Sequence, residues 1–487
     1  MAAPKPAEAK PDSILPRVQR NDRSTLRLVS LAWHNPAMRP LQRDFSLSNV
    51  TGSFYRSADS KPIDPQVGSK TTQWAFDAGT YMKYKNSTLW GAANYTNGKD
   101  RDVRWNETSE IWNVYPYVMA DSTGGDLKTE QYSFSGGYAA TSGRLAWGCS
   151  MGYTAGLYYR AVDPRPRNVT GNLEFAAGLT WQFTTDFYAG LMLGYTKYKQ
   201  TNEVTFYSEL GDKRMLHLTG LVNDYGRFAG DATSTYYNGN TWRLGINAGT
   251  RSGLKVSAEA LRYKVTNVLT SLNKLPLAYA THNALNAEAA WTASRWGVAA
   301  QLSISRRVGT ENVFGDAASS VYPKIAEHNQ YFENRVMASI RGMYCLDAGR
   351  VDLRLMPAAG YNHRNEIYLD PQCRELINTA WGGMNVEAGI KAGRALITVC
   401  VGGTYYGNTS GVLSLSGVKD EMRQLEQIMQ QRHTYYATGY WAANAEVRAH
   451  LALWSKYAIL LKAAWQRTAY TASTNRQQLA VTAGVTF

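Results

Sequence analysis

Along much of this chain apolar residues occupy every second position, with small or polar residues between them. The last segment shows it most plainly: Leu479, Val481, Ala483, Val485 and Phe487 alternate with Gln478, Ala480, Thr482, Gly484 and Thr486. Successive side chains of a β-strand point to opposite faces, so the pattern predicts a strand with one apolar face. The same alternation returns in Tyr457–Trp465, Trp441–Ala449, Met384–Ile390, Trp296–Ile304, Trp242–Ala248, Leu173–Trp181 and Trp74–Met82. Many of these rows begin or end on Trp or Tyr, as rows crossing a membrane interface do.

Reading outward from these rows predicts about eighteen strands (fourteen to eighteen). They fall near 45–57, 71–84, 88–97, 128–140, 144–160, 170–184, 186–207, 235–251 and 254–266. The rest fall near 281–293, 296–308, 328–345, 350–364, 376–392, 395–408, 432–451, 456–470 and 475–487. Short turns alternate with longer connections, the longest near 98–127, 208–234, 309–327 and 409–431. Bacterial barrels have short periplasmic turns and long external loops, and placing Phe487 in the periplasm puts every short turn there. The fold expected is all-β: a transmembrane, antiparallel, up-and-down barrel over residues 44–487. Trp112–Ala120 reads either as an extra strand or as part of an inward-folded loop. Cys345 and Cys373 are expected at opposite ends of neighbouring strands, with only Cys373 within reach of an external thiol reagent.

Composition narrows the class. Mean hydropathy is −0.38 and no run approaches eighteen apolar residues, which excludes transmembrane helices and leaves a closed barrel as the way across a bilayer. The net charge of +14 is scattered, so it suggests pore lining, loops and an anionic outer leaflet of lipopolysaccharide rather than nucleic acid. The four cysteines show no metal or disulfide spacing, and no metal or cofactor is expected. Met1–Asp12 lacks the apolar core of a signal peptide and reads as a flexible periplasmic tail; the export signal of an outer-membrane protein is expected to have been removed.

Strand parity turns a set of charges inward: Asp77, Glu174, Arg243, Glu259, Glu288, Arg335, Arg341, Arg354, Glu387, Lys391, Glu446 and Arg448. Charges facing lipid at mid-strand cost several kcal/mol, so these line the lumen. Two readings fit: they border an aqueous path, or they pair with one another or with a plug. Arg335, Arg341 and Arg354 fall on one wall and could form a basic ladder, unless neighbours such as Glu387 and Lys391 neutralise it.

Residues 13–43 precede the first strand and carry Leu26, Leu28, Val29, Leu31, Trp33 and Met38, an apolar set that predicts a hatch or plug in or against the periplasmic mouth. Arg27 and Arg39 are then expected to meet carboxylates such as Asp77, Glu387 or Glu446. Within this segment the triplet Asn35-Pro36-Ala37 resembles the motif before strand one in the barrel family of long-chain fatty-acid transporters and its Bacteroidetes secretion-shuttle relatives. With the hairpin sequence LWGAANYTNGK (Leu89–Lys99), aromatic-rich strands and a terminal Phe, the chain is similar to uncharacterised Bacteroidetes outer-membrane barrels. The terminal set Leu479, Val481, Ala483, Val485 and Phe487 resembles the signal recognised by the barrel assembly machinery.

The 409–431 loop holds an amphipathic helical pattern, Val418–Gln431, with Met422, Leu425, Ile428 and Met429 on one face. It suits packing on other loops, folding into the pore mouth, or docking a surface lipoprotein. Seven dispersed histidines and no hydrolase or nucleotide motif give no enzymatic signal; His433, Glu446 and His450 are the only candidates for a barrel-rim hydrolase. The function expected is a channel or transporter for passive passage of solutes. The alternative is a blocked barrel that anchors or docks a surface-exposed complex.

Overall fold

The structure is a computed structural model that describes residues 13–208, 214–228, 230, 233–251, 253–317, 321–471 and 473–487. The tail expected over residues 1–12 lies outside the described residues. Eighteen antiparallel strands close into one barrel. The first nine are Leu47–Asp59, Lys70–Lys83, Ser87–Val103, Gly125–Ser142, Leu145–Tyr159, Arg165–Gln182, Phe187–Thr205, Ser234–Thr250 and Leu254–Leu269. The next nine are Leu275–Thr292, Trp296–Phe314, Lys324–Ala348, Val351–Tyr368, Cys373–Ala392, Ala395–Ser414, Tyr440–Trp454, Tyr457–Ala469 and Asn475–Thr486. Each pairs with its chain neighbours, and the ring closes where Asn49–Asp59 meets Arg476–Thr486.

Alternation sets the two faces. Trp74, Phe76, Leu191, Trp242 and Leu244 are each more than half exposed, as an apolar face turned to lipid must be, while their chain neighbours point into the lumen. A closed wall leaves no unpaired strand edge, which is what makes a sheet tolerable in hydrocarbon. Eight connections of two to four residues lie at one end, and Gly143, Gly349 and Gly393 take left-handed φ values of 59°, 75° and 58° in them. A side chain there would meet open space, so the backbone conformation rather than crowding asks for glycine.

The strands outrun the hydropathy signal. Lys324–Ala348 is 25 residues long, against the roughly 9–11 that cross a bilayer. The wall therefore projects past the lipid with polar residues on both faces. Two of the long connections shrink accordingly, to 104–124 and 315–323, those at 160–164, 270–274 and 369–372 become short, and the other two, 206–233 and 415–439, stay long. Trp112–Ala120 adds nothing to the wall. It forms a helical turn, Ile111–Val114, and a short strand, Val118–Ala120, that pairs with Leu216–Gly220 of another loop inside the lumen. The amphipathic pattern becomes the helix Arg423–Ala437, which starts and ends later than the sequence pattern and turns Leu425, Met429, Arg432 and Tyr435 inward.

Before the first strand, a helix (Ile14–Arg23) and three short helical turns (Thr25–Leu28, Leu31–His34, Pro36–Leu41) lie across the lumen at the short-turn end. Cys345 is at that end too, hydrogen-bonded through its N–H to Arg295 O, whereas Cys373 is at the other. From the Cys345–Arg354 pair to the Tyr368–Cys373 pair the chain climbs fourteen residues, about 45 Å. The expected external accessibility of Cys373 is nonetheless wrong. Its side chain is 1% exposed, covered by the Ser416 turn, because the loop folds down over the strand end.

Candidate functional site

Inward residues of a single strand fall into three zones. On Lys324–Ala348, Tyr331 packs in an apolar layer at the long-loop end, Glu333 and Arg335 border a cavity, and Arg341 and Cys345 meet the N-terminal segment. Leu275–Thr292 repeats this order with Ala278 and Ala280, then His282, then Glu288, and Val351–Tyr368 with Tyr368, then Arg364, then Arg354. The lumen is thus layered: an outer closure, a chamber, and an inner closure.

The outer closure is an apolar core built by loops. Trp105, Tyr115, Tyr117, Val118 and Leu218 from loops pack with Leu425 and Met429 of the helix and Met422 just before it, against Tyr237, Val265 and Tyr331 of the wall. Gly309 makes room for the Tyr117 ring, whose hydroxyl would lie 2.6 Å from a Cβ there. A polar tie holds the rim: Arg160 Nη1 donates to both oxygens of the Glu107 carboxyl at 3.0 and 3.2 Å, and Asn168 and Asn202 donate to the Glu107 carbonyl at 2.9 Å. Burial pushes the Glu107 carboxyl up to about 8, against the pull of Arg160.

The chamber consists of two cavities, about 550 and 340 Å³, that share His282 and Arg307. Its charges form a relay of pairs. Glu333 accepts from Arg335 at 2.7 Å and Arg364 at 3.0 Å; Arg364 reaches Glu366 and Glu375; Glu375 meets Arg432 at 3.4 Å and His433 at 3.2 Å; Arg432 meets Asp64 at 3.5 Å. Arg243 stands 3.7 Å from Glu174 on the far side. Arg307 donates to the backbone oxygens of Trp112 and Tyr115 and has no ion-pair partner among the described residues. Trp112, Tyr198, Tyr263, Tyr436 and Tyr440 add aromatic surface. Planar guanidinium groups, carboxylates and phenol hydroxyls suit a small polar solute, which they can hydrogen-bond from several sides.

The inner closure is the N-terminal segment. The Ser30 and Leu31 N–H groups donate to Glu288 at 3.0 and 3.1 Å, His34 Nδ1 lies 3.0 Å from Glu259, and Arg341 donates to Leu28 O. Asp22 is gripped by Arg354, which donates to its carbonyl at 2.6 Å, and by Arg448, 3.2 Å from its carboxylate. Arg354 also pairs with Glu387, and Arg23 with Asp352. Asn35 donates to Leu191 O and Asn247, and its own Oδ1 accepts from Ala37 N–H, fixing the Asn35-Pro36-Ala37 turn. Gly148, Gly178 and Gly190, from three successive strands, form a cradle for it; a Cβ on Gly178 would stand 1.8 Å from Asn35 Oδ1.

Of the twelve charges that parity turned inward, only Glu174, Arg243 and Arg335 border the chamber. Glu259, Glu288, Arg341, Arg354, Glu387 and Arg448 hold or adjoin the N-terminal segment. Asp77 accepts from Asn94 and Glu446 pairs with Lys462, both along the wall, and Lys391 is exposed beside a short turn. The Arg335–Arg341–Arg354 ladder is therefore divided between two zones, each arginine already bonded. Arg27 and Arg39 meet no carboxylate among the described residues: Arg27 donates to Asp22 O, and Arg39 donates to Gln42 and lies over the Trp90 ring. His433, on Glu375 in the outer half, is far from Glu446 and His450, so the three do not converge. Sequence reasoning missed Arg307, Glu333, Arg364 and Arg432, which become neighbours only through register and loop docking.

A family model described as a family of unknown function, DUF6850, matches residues 36–487. No curated protein matches. Similar solved structures include BauA, the ferric preacinetobactin receptor of Acinetobacter baumannii, at 8% identity and TM-score 0.46, covering 91% of this chain and 80% of that one. The Escherichia coli outer-membrane transporter YddB gives 8% and 0.40, covering 90% and 80%. The copper transporter OprC gives 10% and 0.41, covering 87% and 64%. Likeness at this level carries nothing about cargo.

Proposed function

We propose, for a chain that belongs to the DUF6850 family of unknown function, that it is an outer-membrane transport barrel with an internal solute chamber. The observation that carries this reading is the chamber itself: about 550 Å³ and 340 Å³ of polar, arginine- and tyrosine-rich space held open between two packed layers. A barrel serving only as an anchor has no need to keep such space at mid-lumen, because close packing there would stabilise it more. The apolar outer face and the closed wall support placement in the outer membrane, with lipopolysaccharide outside.

Passage is passive and gated. The inner closure is held by hydrogen bonds and ion pairs around a smaller apolar cluster, Leu28, Val29, Trp33 and Met38 against Tyr188 and Met343, so the N-terminal segment yields more readily than the outer loops, which must part as well for a solute to pass. Deleting residues 13–43 should raise planar-bilayer conductance and liposome swelling while the protein keeps its heat-modifiable mobility. If the deletion leaves the bilayer silent, the second reading takes over: a blocked barrel that anchors or docks a surface partner. That reading is favoured by the apolar packing of the outer loops.

A further inference from the structure

Six neighbouring strands, Phe187–Thr205 through Lys324–Ala348, bring one row of outward residues into register: Tyr195, Trp242, Arg262, Asn283, Arg306 and Asn334. The next row toward the short turns is Leu193, Leu244, Ala260, Leu285, Ile304 and Val336. Ala260 is the only short side chain in that second row. Over it a groove of about 690 Å³ opens in the lipid-facing wall, apolar along its floor and edged by Arg262 and Arg306 on the long-loop side. Lys197 and Lys264 lie one row further out.

None of these four cations has an ion-pair partner among the described residues, and neither row they occupy contains a carboxylate. Lys264 lies over the Tyr279 ring at 4.1 Å, Arg306 over Phe332 at 5.7 Å, and Lys197 donates to Asn238 and Asn240. The nearby Glu327 is bonded to Lys324 and also attracts Lys264, which leaves Arg262 and Arg306 as the pair without a carboxylate among the described residues; elsewhere on the wall Lys99 meets Asp126 at 2.6 Å. The first row continues through Asn365, Leu376 and Val412 without a charge. A guanidinium at the edge of hydrocarbon needs an anion, and in this position the lipid must supply it.

We propose that this groove is a binding site for one phosphorylated, multiply acylated glycolipid of the external leaflet. An acyl chain lies in the cleft over Ala260, and a phosphate sits between Arg262 and Arg306 with Asn283 and Asn334 beside it. The site is independent of any transport through the lumen. It is tested on the delipidated full chain by native mass spectrometry, titrating lipid A (the bisphosphorylated, multiply acylated disaccharide) and, separately, its dephosphorylated form.

The phosphorylated lipid should bind as a single tight equivalent, with the dephosphorylated form about tenfold weaker or more. The double variant Arg262→Gln, Arg306→Gln should lose the same factor. Ala260→Trp, which fills the groove and keeps the charges, should also weaken binding, while Lys70→Gln on another sector should not. Equal affinity for the two lipids overturns the proposal, as does wild-type binding by the double variant or tighter binding of phosphatidylglycerol than of lipid A. Should the double variant misfold, the comparison of the two lipids on the unaltered chain decides the matter by itself.

Discussion

Asn35 depends on what is missing opposite it. With Gly178 changed to Ala, the new methyl would overlap the Asn35 amide at 1.8 Å, so the Asn-Pro turn has to leave its cradle and give up its bonds to Leu191 O and Asn247. Overpacking of this kind costs about 1–3 kcal/mol. The expected outcome is an N-terminal segment that protease trims in Gly178→Ala but not in the native chain, with the melting of the wall unchanged. The triplet stood out in the sequence, whereas its glycines did not: positions 148, 178 and 190 are far from Asn35 along the chain and meet it only through strand register. Glu107 offers a second test at this scale. Folding raises its carboxyl from 4.5 to about 8, so its contribution is fully present below about 4.5 and is lost as pH rises through about 8. Hydrogen-exchange protection of 104–124 should fall across that interval, and Glu107→Gln, neutral throughout, should abolish the dependence.

Strands were the most legible elements, because one face of each must be apolar and the period of two survives noise. Their outer ends were not, since beyond the lipid both faces are polar and only hydrogen bonding marks the strand. Loops were legible as loops, but their descent into the lumen was not: Trp105, Tyr115 and Leu218 find their partners on strands and helices distant in sequence. The amphipathic helix was readable because Met422, Leu425 and Met429 share a face, and that face is the one buried. The last strand carries a prediction. Phe487 and Ser48 exchange two backbone hydrogen bonds, 2.8 and 2.7 Å, where the ring closes, and the Phe487 ring packs 5.9 Å from that of Tyr457. Deleting Phe487 should lower the amount of folded, heat-modifiable protein in the membrane; wild-type levels would show that the seam closes without it.

For the whole molecule, sequence parity could say which charges face inward but not how they divide among layers, because that division is set by what enters the lumen from either end. Around the chamber Arg243, Arg307, Arg335, Arg364 and Arg432 face Asp64, Glu174 and Glu333, with Glu366 and Glu375 buried behind them. With the two signs so nearly matched, the pore left by deleting residues 13–43 should discriminate little between cations and anions, a permeability ratio of about one, and Glu333→Gln should tip it toward anions. A reversal potential already strongly anion- or cation-selective before that change would contradict the pairing scheme. The N-terminal segment touches the wall in an order that has a mechanical consequence. Following the chain from Ile14, its ties run to the Ser455 turn, Asp352, Arg448, Ala293, Glu288, Glu259, Asn247 and finally Tyr81, beside the first strand. A pull applied at Ile14 along the barrel axis loads these ties one after another rather than together, so the segment comes away stepwise while the wall, whose strands would have to shear many bonds at once, stays rigid.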